Sequence, residues 1–102
     1  MRFGSVAEFL EGGAARLQAG PVALVFVEDA AEIESTIAHH LRLGFRSLVA
    51  FLPEGLSLPG RPDARVAEVR LATRAPGVVP DTVNRLIAAA PGQWFYYCFN
   101  AE

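Results

Sequence analysis

The run Val22-Ala23-Leu24-Val25-Phe26-Val27 contains no polar residue and stops abruptly at Glu28 and Asp29. An unbroken apolar run of this length, without alternation, suits a strand covered on both faces, as in the middle of a parallel sheet. The chain then turns straight into Ala30 to Gly44, where Ile33, Ile37 and Leu41 recur at helical spacing. A buried strand therefore feeds a helix through a short acidic turn. Open α/β sheets hold ligands at the carboxyl edge of their strands. Glu28 and Asp29 are thus candidate binding groups.

The rest of the chain repeats the alternation. Ser5-Val6-Ala7-Glu8 has capping-box spacing, with Glu8 expected to reach back to the Ser5 amide. A short helix should follow, burying Phe9, Leu10, Ala14 and Leu17 and weakened by Gly12-Gly13. Gly20-Pro21 ends it. Asp29 followed by Glu32 gives the second helix its own capping signature, and Gly44 is its expected C-cap. The second strand, Ser47 to Leu52, halts at Pro53-Glu54-Gly55, and 56–62 reads as a Pro/Gly-rich loop. In the third strand, about 64–73, Ala67, Val69 and Leu71 alternate with Glu68, Arg70 and Ala72, the pattern of a half-exposed edge strand. Pro76-Gly77 and Pro80 predict a turn, Asp81 a cap for a helix ending at Ala90, and Trp94 to Phe99 a fourth strand. Helices between strands imply an α/β fold: an open, mainly parallel four-stranded sheet in the order 3-2-1-4, with helices on both faces.

Size and composition narrow the possibilities. The 102 residues suit a single α/β domain, 1–20 forming a helical lead-in and 21–102 a βαβ region. A net charge of −2 gives no basic field, so no nucleic-acid partner is expected. No apolar run approaches the ~20 residues that span a bilayer, and nothing near Met1 reads as a leader. The single cysteine, Cys98, has no internal disulfide partner, which fits a cytoplasmic location.

In a parallel sheet Glu28, Asp29, Glu54 and Glu102 all fall beyond strand ends. Such a rim suits a divalent Mg or Mn ion, which takes oxygen ligands and shares them with phosphates. Each acid alone also has a plainer account: capping for Asp29, solvation for Glu28, a turn for Glu54. The acidic turn lacks glycine, so neither a dinucleotide fingerprint nor a P-loop is present. Adjacent residues on a helix point about 100° apart, so His39 and His40 make a poor metal pair. His40 is expected inside or at the boundary, His39 on the surface, and Cys98 as inert core. A receiver-like phospho-acceptor would need an Asp where Thr73-Arg74 stands.

Glu28-Asp29-Ala30, Ile33-Glu34, Ile37, His39-His40-Leu41 and Leu43-Gly44 together resemble the opening of glycosyltransferase family 2-like proteins. In that family the first strand ends in Asn-Glu or a similar polar pair, and the helix often reads Ile-Glu…His-His…Leu-Gly. A second, weaker match lies at Asn84, Trp94 and Asn100-Ala101-Glu102, where the family carries an Asn on a helix and then a strand ending in Asp-x-Asp. The likeness runs over about 21–102. It implies half of a GT-A, Rossmann-like fold that binds a nucleotide-diphosphate sugar. The nucleoside would lie near Glu28, Asp29 and Glu54, and the metal with the diphosphate at Asn100 and Glu102. The chain departs from the pattern in three places. Asn100 replaces a metal-binding carboxylate by a neutral donor. Glu54 stands where the family commonly has Asp. The spacing from Asn84 needs one extra residue, without which Phe99 would occupy the first acidic position.

The family's acceptor-binding half, which supplies the catalytic base, has no counterpart here. No catalytic residue is therefore assigned, and the chain is expected to be part of a longer protein. A different class remains open beside this one: a non-enzymatic module forming a homodimer through the strand at 94–99.

Overall fold

The computed structural model describes residues 1–18, 20–58 and 63–99. Five strands, β1 (Arg2–Phe3), β2 (Val22–Phe26), β3 (Ser47–Leu52), β4 (Val66–Arg70) and β5 (Phe95–Phe99), form one sheet in the order β1-β4-β3-β2-β5. Every neighbouring pair is parallel. Three helices, α1 (Val6–Gly12), α2 (Ile33–Arg42) and α3 (Val78–Ala89), connect them, with a 3₁₀ turn at Ala14–Gln18.

The apolar runs form the central strands, as their lack of alternation requires. All of β2 and β3 is buried, in register from Val22 opposite Ser47 to Phe26 opposite Phe51. Their side chains feed two cores. On one face Leu24, Phe26, Val49, Phe51, Ala67 and Val69 meet Val6 and Phe9 of α1 and Leu86 of α3. There the Phe26 and Phe51 rings stack 4.7 Å apart. On the other face Ala23, Val25, Leu48 and Ala50 meet Ile33 of α2, and Leu56 and Leu58 from the β3–β4 connection cover what α2 leaves open. Helices therefore lie on both faces.

Three expectations need correction. First, the sheet has five strands, not four. A strand of two residues is too short to show periodicity in a sequence, yet Arg2 pairs with Glu68 and Phe3 with Val69. Second, β1 takes the edge position, so the segment at 66–70 is interior, and Val66 to Val69 are all buried. Its alternation reflects a buried carboxylate: Glu68 is 5% exposed and faces Arg2 at 3.6 Å and Arg70 at 3.3 Å.

Third, the starts of α2 and α3 move, while Ser5 caps α1 as expected. Ser5 Oγ accepts from the Glu8 amide at 3.1 Å, but the Glu8 carboxylate accepts from Gly4 rather than Ser5, at 3.0 Å. Asp29 does not cap α2. Its carboxylate accepts from Ala31 at 2.9 Å in a local turn, and Glu32 stands at the N-cap with φ 57°. That left-handed conformation is uncommon for a residue with a side chain. In α3 the N-cap is Gly77, at φ 77°, so Pro80 and Asp81 lie inside the first turn. Proline is tolerated there because the first amides of a helix have no partner within it.

Candidate functional site at the carboxyl edge of the sheet

Because all five strands run the same way, their carboxyl ends share one edge. β2 leads through α2 to β3 on one side, while β5 lies against the other side of β2. The strand order reverses between β2 and β5, and a crevice at such a point is where open α/β folds place ligands. Glu28 and Asp29 follow β2 at this position, both exposed. Glu54 follows β3, also exposed, one strand further along the same edge. The three acids thus share the edge. Asn100 and Glu102, the expected metal ligands, lie outside the described residues.

The tails of the strands are tied together by groups that the acidic pattern drew attention away from. The buried Thr73 hydroxyl donates to the Val27 carbonyl at 2.6 Å, and the Arg74 guanidinium donates to the Glu28 carbonyl. Both bonds cross from the end of β4 to the end of β2. Arg70 gathers the β3 tail, donating to the carbonyls of Leu52 at 3.3 Å and Leu56 at 2.6 Å and to that of Pro53. One guanidinium on several carbonyls leaves few backbone acceptors in the β3 tail unsatisfied. The turn carrying Glu54 is held by it.

These cations also line a cavity of about 670 Å³ ahead of β3 and β4, bordered by Ser5, Pro53, Glu54, Arg70, Arg74 and Arg85. Arg74 and Arg85 are exposed and Arg70 half-buried. Arg70 is already paired with the buried Glu68, so Arg74 and Arg85 are the cations of this lining set against Glu54, a modest excess of positive charge that favours an anionic group. Sequence reading missed this cluster. The only signal was a pair of arginines, Arg70 and Arg74, either side of a predicted strand end, and α3 brings Arg85 in from a distant part of the chain.

His40 is buried and His39 exposed, and among the described residues no three His, Cys, Asp or Glu side chains are grouped to hold a metal ion. A Mg or Mn ion needs only one or two protein oxygens when a diphosphate and water fill its other positions. Among the described residues no helix is long and apolar enough to cross a membrane.

No protein-family model, curated protein or solved structure matches this chain.

Proposed function

We propose that this chain is the nucleotide-sugar-binding portion of a glycosyltransferase-like protein, a binding unit that does not turn over alone. The observation that carries the reading is the reversal of strand order between β2 and β5, with Glu28 and Asp29 at the carboxyl end of β2. The nucleoside lies against Glu28, Asp29 and Glu54. Asn100 and Glu102, which follow β5 in the sequence, hold a divalent ion that neutralises the diphosphate. The resemblance to glycosyltransferase family 2-like proteins at Glu28 to Gly44 supports the choice of ligand. No residue is assigned as catalytic on this reading, which leaves the base that deprotonates an acceptor to another part of the protein.

Isothermal titration of the chain with UDP and with GDP, each with and without Mn²⁺, tests the reading. Binding should require the metal and should weaken about tenfold or more in Glu102→Gln, which removes the one acidic ligand. Heatless titrations with this chain and with a longer parent would overturn it.

A second reading is favoured by a separate observation. β5 lies at the sheet edge, and Trp94, Tyr96 and Tyr97 around it are 81%, 51% and 52% exposed. An open edge bearing large aromatic side chains invites strand pairing. On this reading the chain is an interaction module that dimerises through 94–99.

A further inference from the structure

The groove beside β5 holds two side chains whose chemistry the sheet edge does not use. Cys98 Sγ lies 3.7 Å from His40 Nε2, although 58 positions separate them in sequence. The other ring nitrogen of His40, Nδ1, is 2.8 Å from the Thr36 carbonyl. A carbonyl only accepts, so Nδ1 carries a hydrogen and Nε2 of the neutral ring is left as a base facing the sulfur. The imidazole is held in place by Tyr96 and Phe45, whose ring centres lie 5.5 and 5.8 Å from its own. Cys98 is 8% exposed, as a core cysteine would be, and His40 6%; both edge an open groove of about 790 Å³ that also meets Ser35, Thr36 and Leu43. That volume falls within the range of small-molecule sites.

We propose that Cys98 and His40 form a thiol–imidazole pair that exchanges with the disulfides of small thiols, making Cys98 a site of reversible S-thiolation. The Cys98 proton passes to His40 Nε2 as Sγ attacks one sulfur of the incoming disulfide. The old S–S bond breaks, a Cys98–sulfur bond forms, and the departing thiolate takes the proton from His40. Cys98 is oxidised and half of the small disulfide is reduced, so no further reagent enters. The thiolate is the reacting species, and a neighbouring imidazolium is a common way to stabilise it. The other titratable groups lining this cavity are Glu32 and His39 on the α2 side and Tyr96 and Tyr97 on β5; Val25, opposite Cys98 on β2, is apolar.

The test uses iodoacetamide and oxidised glutathione on the 102-residue chain, with adducts located by peptide mass. An ordinary thiol with a pKa near 8.5 is only about 3% thiolate at pH 7. Native Cys98 should therefore alkylate about tenfold faster at pH 7 than the same chain unfolded in urea. Its rate should reach half-maximum at a lower pH than in the unfolded chain. His40→Asn keeps an amide N–H able to donate to the Thr36 carbonyl but removes the base, and should bring the rate to the unfolded value or below. If circular dichroism shows that variant unfolded, the wild-type pH profile alone decides. Oxidised glutathione should give a Cys98 mixed disulfide that dithiothreitol reverses. A native rate below the unfolded one across pH 6 to 9, an unchanged rate in folded His40→Asn, or no glutathione adduct would each overturn the proposal.

Discussion

At one lateral edge of the sheet β1 is two residues long, and its Arg2 lies against a buried Glu68 that Arg70 also meets. At the other edge β5 is five residues long, follows the exposed Trp94 and carries exposed Tyr96 and Tyr97, with no strand beyond it among the described residues. Short strands and charges are the usual ways to close an edge against unwanted pairing. The first edge uses both. The second uses neither, and it borders the β2–β5 crevice and the Cys98–His40 cavity. The contrast separates a side built for stability from a side left available for contact.

Removing the charge at the closed edge should give the largest effect. Glu68 accepts from the Leu58 amide at 3.2 Å as well as facing Arg2 and Arg70. Breaking a buried pair costs several kcal/mol when the partner stays buried. Here the Arg2 and Arg70 side chains are 70% and 26% exposed, so water screens much of the loss. Glu68→Ala should lower unfolding free energy by about 2 kcal/mol, measured by urea denaturation. A loss near zero would mean that β1 closes the edge by its backbone alone.

Charging the open edge should change association more than stability. Tyr97 is half exposed, and its ring meets Phe26 edge-on at 6.3 Å. Tyr97→Lys keeps a long side chain over Phe26 and should cost about 1 kcal/mol, while the charge opposes strand pairing. If β5 pairs with its copy, light scattering should show the wild-type mass falling to that of one chain in the variant. A wild-type chain that stays monomeric when concentrated removes the dimer reading and leaves the crevice as the reason for the open edge.

How much of this contrast the sequence disclosed depends on the range of each signal. The apolar runs at 22–27 and 47–52 were legible, because burial on both faces acts locally; Gly12-Gly13 was expected only to weaken one helix reaching Leu17, whereas α1 ends at Gly12 and Ala14–Gln18 is a separate 3₁₀ turn. Strand β1 was not, since Arg2 and Phe3 acquire their meaning only from Glu68 and Val69. The alternation around Glu68 was visible but pointed the wrong way: a charged residue in a strand is normally solvated, and only its arginine partners make burial tolerable. At the candidate site Glu28, Asp29 and Glu54 could be picked out as residues following strands. Arg70, Arg74 and Arg85 could not be seen as one cluster, nor Cys98 as a partner of His40. Those groupings come from where α3 sets Arg85 and α2 sets His40 against the sheet, which no local pattern encodes.

The smallest expected effect again concerns the closed side, just before β4. Asp63 accepts from the Arg65 side chain at 2.8 and 3.0 Å and from its backbone amide at 2.8 Å. These bonds hold the Asp63 carboxyl below its ordinary range, at about 2 rather than 3.8, the Arg65 side-chain bond being the largest cause. A depressed carboxyl stabilises the fold above its unfolded pKa, and that contribution fades as pH falls from about 4 towards 2. Both side chains are well exposed, at 47% for Arg65 and 38% for Asp63, so the ion pair is screened. Asp63→Asn should therefore shift the urea midpoint slightly at pH 6, and by much less near pH 2, where Asp63 is partly protonated in the fold as well. If the shift at pH 6 equals that of Glu68→Ala, exposure does not separate the two carboxylates. The buried carboxylate that Arg2 of β1 meets would then not be what distinguishes the closed edge from the open one.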